Sequence, residues 1–152
     1  MNTTTNKTAP RLVVRRTFEA PRARVYAAWT DPKQTCKWAG TGDNPIVAME
    51  SDPRVGGTYR TTFLKPDGER WTVRGVFREI QAPERLSYTW VWEEDKPEDE
   101  IETLVTVEFR DLGGDKTELV LTHEQFASEE SRNGHEAGWT EMLERLGAYL
   151  PA

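Results

Sequence analysis

The sequence predicts an α+β protein in which a mostly antiparallel sheet is covered on one face by a long C-terminal helix. Six strand-like runs follow one another between residues 46 and 126, joined by short turns such as "KPDGE" and "GGDK". Strands joined by tight turns pair antiparallel. Residues 128–150 then place apolar side chains at helical spacing. A single terminal helix covers only one face of such a sheet.

The first forty residues predict one strand and two short helices. "RLVVRRTF" (11–18) is rich in β-branched residues, as strands are. Pro21 suits the first turn of a helix, which would bury one face formed by Val25, Ala28 and Trp29. Asp31 can cap a second helix that ends near Trp38. Gln34, three residues after Asp31, resembles the second half of a capping box.

The remaining strands are bounded by Gly-, Pro- and Asp-containing turns. A glycine inside a strand often marks a bulge, so we expect one at Gly75. Ser128, followed by two glutamates, caps the terminal helix. The predicted strands are "IVAME" (46–50), "TYRTTFL" (58–64), "RWTVRGVFREI" (70–80), "RLSYTWVW" (85–92), "TLVTVEFRDL" (103–112) and "TELVLTHEQF" (117–126).

Side chains alternate between the two faces of a strand, so residue parity assigns the face that points toward the helix. The more apolar parity defines the inward set. That set is Tyr59, Thr61 and Phe63; Trp71 and Val73; Leu86, Tyr88, Trp90 and Trp92; Thr103, Val105, Val107 and Phe109; and Thr117, Leu119, Leu121 and His123.

The terminal helix carries an apolar stripe that includes a glycine, namely Gly138, Trp139, Met142, Leu143, Leu146 and Leu150. A glycine in a helix interior costs about 1 kcal/mol relative to alanine. We therefore expect Gly138 to let the helix approach a strand closely. Trp139 would then face Tyr59, Trp71 and Trp90 across the concave side of the sheet.

Aromatic residues are abundant for such a polar chain. The 152 residues include six Trp, four Tyr and five Phe, although 30% of the residues are charged. These rings either fill the core or line a ligand cavity between sheet and helix. For the cavity, the candidate binding residues are Trp38, Tyr59, Thr61, Phe63, Trp71, Val73, Tyr88, Trp90, Val105, Val107, Trp139 and Leu143.

An ordered set of segments resembles a known family. The segments are "RTFEAPRARVYAAWTDP" (16–32), Trp38, "DPRVGGTY" (52–59), "PERLSYTW" (83–90) and "GHEAGWTEMLERL" (134–146). Together they resemble the bacterial activator-of-heat-shock-protein-90-ATPase-like family, within the START-like, polyketide-cyclase-like superfamily. The resemblance implies a helix-grip fold, a curved sheet around a long C-terminal helix with a hydrophobic tunnel between them. It does not by itself transfer a co-chaperone activity.

The charge distribution bears on the class of partner. The net charge is −6, and residues 93–102, with seven acids and one lysine, account for all of it. A chain without a basic cluster is a poor nucleic-acid binder, because phosphate contacts need clustered Lys and Arg. The acidic segment is either a solvated loop or a docking surface for a basic protein partner.

The sequence predicts a disordered polar tail over residues 1–10 and a single domain over residues 11–152. The tail has no apolar run typical of a secretory signal, and no apolar stretch of the sequence is long enough to span a membrane. The single cysteine, Cys36, excludes an internal disulfide and fits a reducing compartment. We expect a cytoplasmic protein that an exposed sheet edge would allow to form a homodimer.

No motif for a metal, a cofactor or a phosphate group is present, since HExxH, paired cysteines and strand–glycine-loop–helix patterns are all missing. We expect no cofactor. His123 is the weak catalytic candidate, because its parity points inward and histidine titrates near neutrality. Three hypotheses follow: a carrier of a small aromatic or lipid-like molecule, a cyclase- or hydrolase-type enzyme using the same tunnel, and a chaperone or interaction module docking through 93–102.

Overall fold

The computed structural model describes residues 9–40 and 43–150. Most of the expected N-terminal tail, residues 1–8, lies outside the described residues. The elements in chain order are β1 (Leu12–Phe18), α1 (Arg22–Thr30), α2 (Pro32–Trp38), β2 (Ile46–Ser51), β3 (Thr58–Leu64), β4 (Arg70–Gln81), β5 (Arg85–Trp92), β6 (Thr103–Gly113), β7 (Lys116–Glu124) and α3 (Glu129–Tyr149). A short 3₁₀ turn, Pro97–Asp99, interrupts the acidic segment.

The strands form one antiparallel sheet in the order β1-β7-β6-β5-β4-β3-β2. The strands β1 and β2 follow each other in sequence but lie at opposite edges, so α1 and α2 cross the sheet between them. The first helix packs on β6 and β7, the second on β2, and α3 on β1. The sheet therefore curves around the long helix, and the predicted helix-grip fold is confirmed.

The core lies on the concave face, as residue parity predicted. The inward residues of the neighbouring strands β6 and β7 are almost completely shielded from solvent: Thr103, Val105, Val107, Phe109, Thr117, Leu119, Leu121 and His123. From the helices, the core receives Val25, Ala28 and Trp29 of α1, and Trp139, Leu143 and Leu146 of α3.

Capping residues set where two helices begin. The carboxylate of Asp31 accepts a hydrogen bond from the backbone N–H of Lys33 at 3.0 Å, and the hydroxyl of Ser128 accepts one from Ser131 at 3.1 Å. Both satisfy orphan donors of a first turn. The amide of Gln34 donates to the carboxylate of Asp31 at 3.4 Å, whereas a capping box would need it to accept from the cap backbone, so that expectation was wrong.

The bulge expected at Gly75 is displaced along the strand. The β3–β4 register runs unbroken through Gly75, and the β4–β5 register shifts between Phe77 and Glu79. The backbone at Gly75 leaves no room for a side chain. A Cβ there would lie 1.9 Å from the carbonyl oxygen of Thr89 and 2.6 Å from the ring of Tyr59. Glycine is required because backbone and ring approach so closely.

Candidate functional site

The site begins where α3 crosses the concave face of the sheet. The ring of Trp139 stacks on Trp29 of α1, with centroids 6.0 Å apart and planes 21° apart. On its sheet side it meets Trp90 at 4.9 Å. Of the three partners expected for Trp139, only Trp90 contacts its ring. Tyr59 packs on Tyr88 instead, and Trp71 on Trp92.

An inner cavity of about 90 Å³ lies between the sheet and the helices. Its wall contains no charged side chain among the described residues, and its polar groups are hydroxyls and indole N–H groups. The lining is Trp29, Thr30, Thr35, Trp38, Ala39, Ile46, Met49, Ser51, Tyr59, Thr61, Phe63, Val73, Phe77, Leu86, Tyr88, Trp90, Trp139 and Met142.

An outer groove of about 420 Å³ continues from the inner cavity toward solvent. The two spaces share the side chains of Phe63, Trp90, Trp139 and Met142, together with Ala39. Of the two spaces, only the outer groove is lined by charged residues. Its remaining lining is Lys65, Trp71, Trp92, Glu130, Ser131, Gly134, His135, Gly138 and Glu141.

Two glycines of α3 leave the helix side of the groove open. An added Cβ at Gly134 or Gly138 would meet no heavy atom within 4 Å. The expectation that Gly138 allows close contact with a strand was therefore wrong, because the space above it is open. Gly134 and Gly138 are one helical turn apart and both line the groove, so a larger side chain at either position would project into it.

A chain of hydrogen bonds fixes Trp139 through His123. The indole N–H of Trp139 donates to Nδ1 of His123 at 3.0 Å. Since an indole nitrogen only donates, the proton of the neutral imidazole lies on Nε2. Nε2 therefore donates to the hydroxyl of Thr103, 2.7 Å away, and that hydroxyl donates to the carbonyl oxygen of Trp90 at 2.9 Å. The chain ties α3 to β7, β6 and β5.

His135 forms a second link with the opposite tautomer. The indole N–H of Trp92 donates to Nε2 of His135 at 2.9 Å, and the protonated Nδ1 donates to the carbonyl oxygen of Ser131, 2.8 Å away. Burial lowers the pKa of His135. Burial, assisted by the neighbouring His135, lowers the pKa of His123 to about 2. Both imidazoles are therefore neutral, and each uses both of its nitrogens within the protein.

These bonds decide what the weak catalytic candidate can do. A general acid or base needs a nitrogen within hydrogen-bond reach of substrate and a pKa near the working pH. In this structure Trp139 and Thr103 occupy both nitrogens of His123, and burial lowers its pKa. The geometry gives His123 the task of holding Trp139 against the sheet.

The structure brings nine of the twelve predicted binding residues to the two spaces. Eight of them line the inner cavity: Trp38, Tyr59, Thr61, Phe63, Val73, Tyr88, Trp90 and Trp139. Trp71 lines the outer groove only, where it is 47% exposed and lies under the ammonium of Lys65. Val105, Val107 and Leu143 lie in the packed core and line neither space.

Several lining residues were absent from the predicted set, and four of them are aromatic, imidazole or thioether side chains that border the site. Trp29 was assigned to a buried helical face and Trp92 to the inward parity of β5, so both signals existed in the sequence. Met142 lay on the apolar stripe of α3. His135 carried no signal, because only the folded chain places it beside Trp92.

The acidic segment is partly neutralised by the convex face of the sheet. Arg60 pairs with Glu93 at 2.8 Å, and Arg74 with Glu100 at 2.7 Å. These arginines lower the pKa of both carboxyl groups. The loop is therefore attached to the sheet through its own charges.

Two further structural findings concern other classes of site. Within residues 9–40 and 43–150, no three side chains of His, Cys, Asp and Glu come together in a way that would hold a metal ion. None of the helices described here is long and apolar enough to cross a membrane.

The curved sheet, the gripped helix and the space between them define a helix-grip protein of the START-like type. The sequence profile described as "Activator of Hsp90 ATPase homolog 1-like protein" matches residues 19–151. The chain belongs to this family.

Solved structures with the same fold come from several bacteria. A Chromobacterium violaceum protein is 26% identical, with a TM-score of 0.83 over 93% of this chain and 97% of that one. The AHSA1 protein of Silicibacter pomeroyi is 25% identical, with a TM-score of 0.81 over 93% and 98%. CalU16 of Micromonospora echinospora is 27% identical, with a TM-score of 0.71 over 93% and 76%. Among curated proteins no significant match was found.

Proposed function

We propose that this protein binds a small hydrophobic molecule, aromatic or lipid-like, in the outer groove, with one end of the molecule in the inner cavity. The observation that carries the proposal is the open, aromatic-lined groove of about 420 Å³ beside α3. Small-molecule sites are typically mostly apolar spaces of roughly 300–1,000 Å³.

The glycines of α3 support a ligand in preference to simple packing. Glycine in a helix interior destabilises the helix, and neither Gly134 nor Gly138 gains a close contact in exchange. A larger side chain at these positions would fill the groove. The sequence thus keeps the groove open at a cost in stability, which is the pattern expected where stability is traded for function.

The lining favours an aromatic ligand over a long acyl chain. Trp71, Trp90, Trp92 and Trp139 border the groove, and flat rings pack on aromatic faces in offset or edge-on arrangements. The inner cavity, about 90 Å³, is smaller than an engineered cavity of about 150 Å³ that binds benzene. It therefore takes a substituent, while the body of the ligand lies in the groove.

The test compares two leucine substitutions on one helix. Gly138→Leu would place an isobutyl group in the groove, whereas Ala137→Leu places the same group at a neighbouring exposed position that does not line it. The probe is N-phenyl-1-naphthylamine, whose fluorescence rises in apolar sites. We expect saturable binding to wild type and to Ala137→Leu, and at least a tenfold weaker affinity in Gly138→Leu. Equal affinity in all three proteins would refute the proposal.

The two other functions lack a comparable observation. An enzyme using His123 would need a free ring nitrogen, and both are bonded within the protein. Docking of a basic partner through residues 93–102 would have to compete with Arg60 and Arg74 for Glu93 and Glu100. A cytoplasmic carrier remains our proposal, because the one cysteine, Cys36, is free and exposed.

A further inference from the structure

One indole nitrogen stands apart from the other five in the protein. Five tryptophans donate their N–H to a protein acceptor: Trp29 to the hydroxyl of Tyr88, Trp38 to the carbonyl of Ala28, Trp71 to Glu69, Trp92 to His135 and Trp139 to His123. The Nε1 atom of Trp90 is buried and has no acceptor among the described residues. A buried donor without a partner is unfavourable, and native proteins rarely leave one.

The unpaired donor belongs to one of the residues that line both spaces. Trp90 lines both the inner cavity and the outer groove. Its ring is held between Trp139 at 4.9 Å, Trp92 at 5.6 Å and His123 at 5.6 Å. The ring of Trp90 is therefore within reach of a molecule that extends from the groove into the cavity.

A second donor lies deeper in the same cavity. The hydroxyl of Tyr88 accepts from Trp29 at 3.3 Å, and its own proton has no acceptor among the described residues. Burial raises the pKa of Tyr88 well above its ordinary value, so the phenol keeps that proton. The hydroxyl of Tyr59, in contrast, is used by the carbonyl oxygen of Thr89. Trp90 and Tyr88 therefore each offer a donor that needs an acceptor.

The cavity also selects against charge. None of its lining side chains is ionised, and an ionised group placed there would be desolvated without a partner. The charged residues Lys65, Glu130 and Glu141 lie along the outer groove only. An acceptor that suits the cavity is thus an uncharged oxygen, such as a carbonyl or an ether.

We infer that Trp90 determines ligand specificity by donating its indole N–H to a neutral acceptor oxygen on an aromatic ligand, with Tyr88 as a second donor to the same part of the ligand. This inference rests on the proposed ligand-binding function and adds to it the chemical class of the ligand, an uncharged aromatic ketone or ether. It makes Trp90 the residue that distinguishes such a ligand from a hydrocarbon of equal shape.

The test uses two compounds of nearly the same shape, 2-acetylnaphthalene and 2-ethylnaphthalene. We expect wild type to bind the ketone roughly ten times more tightly, as a hydrogen bond to an otherwise unpaired buried donor allows. In Trp90→Phe this ratio falls to near one, because the ring is kept and the donor is lost. Tyr149→Phe, which removes a hydrogen-bond donor that lies outside both spaces, is the control and should retain the ratio. The carboxylate 2-naphthoate should bind more weakly than the ketone.

A spectroscopic measurement on wild type makes the result independent of how the variants fold. In a ¹H–¹⁵N correlation spectrum, the indole N–H signal of Trp90 should move downfield with the ketone and not with the hydrocarbon. Equal binding of both compounds to wild type, or tighter binding of the carboxylate, would overturn the inference while leaving the proposed function intact. If neither naphthalene binds, the inference fails; the proposed function fails with it only if N-phenyl-1-naphthylamine also does not bind.

Discussion

Replacing Gly138 by alanine should stabilise the protein, although the residue lies on the apolar stripe of α3. An added Cβ finds no heavy atom within 4 Å, and the residue has no positive φ. The full difference in helix propensity, about 1 kcal/mol, should therefore appear in the free energy of unfolding. For a chain of this size it corresponds to a rise in Tm of about 2–4 °C. Gly134→Ala should behave in the same way for the same reason.

Equilibrium unfolding in urea, followed by circular dichroism, measures this effect. Gly147→Ala is the comparison, because its Cβ would lie 2.9 Å from the guanidinium of Arg16. That group ends a flexible side chain and can move aside, so we expect a smaller gain there. A loss of stability in Gly138→Ala, with the slope of the unfolding transition unchanged, would show that the helix lies closer to the sheet than the structure has it. The argument for an open groove would then fail.

Four other predictions concern a close backbone contact, the two histidines and the cap of α3. Gly75→Ala should destabilise the protein by about 3 kcal/mol or more, because its Cβ would overlap the carbonyl oxygen of Thr89. Unfolding in urea measures this loss, and an unchanged free energy of unfolding would contradict the close approach. Since the pKa of His123 falls to about 2 on folding, the native state cannot take up the proton that the unfolded chain binds below about pH 6.5. Stability should be unaffected by this group above that pH and should fall by about 1.4 kcal/mol per pH unit below it. Long-range ¹H–¹⁵N spectra at pH 7 should show His123 protonated on Nε2 and His135 on Nδ1; the reverse assignment would contradict the hydrogen-bond chains. Ser128→Ala should cost about 1 kcal/mol, since the cap of α3 is lost, and Ser128→Asp should restore it.

Local rules were sufficient for the order and the faces of the elements. Turns with Pro, Asp and Gly set the hairpins, and alternation along β6 and β7 placed the correct residues inside. The parity argument worked there because one face of each strand is covered by α3 and α1. It predicted the direction of Trp71 as well, but parity says nothing about depth, and Trp71 lies at the open end of the groove.

The two glycine predictions failed for one shared reason. A glycine in the sequence shows that a Cβ is absent, but it does not show which atoms, if any, occupy the position that the Cβ would take. At Gly75 the space is filled by the backbone of Thr89 and the ring of Tyr59, whereas at Gly138 it is open. These opposite outcomes depend on strands and helices far apart in the chain, so no local pattern distinguishes them.

The sequence by itself determined the fold class, the seven strands, the three helices and the family, because each depends on local propensity, turn chemistry and ordered motifs. Only the tertiary structure decided which aromatic rings border empty space, which of six indole N–H groups lacks an acceptor, and how each histidine is protonated. These properties arise from contacts between β5, β7 and α3, which only folding of the chain brings together.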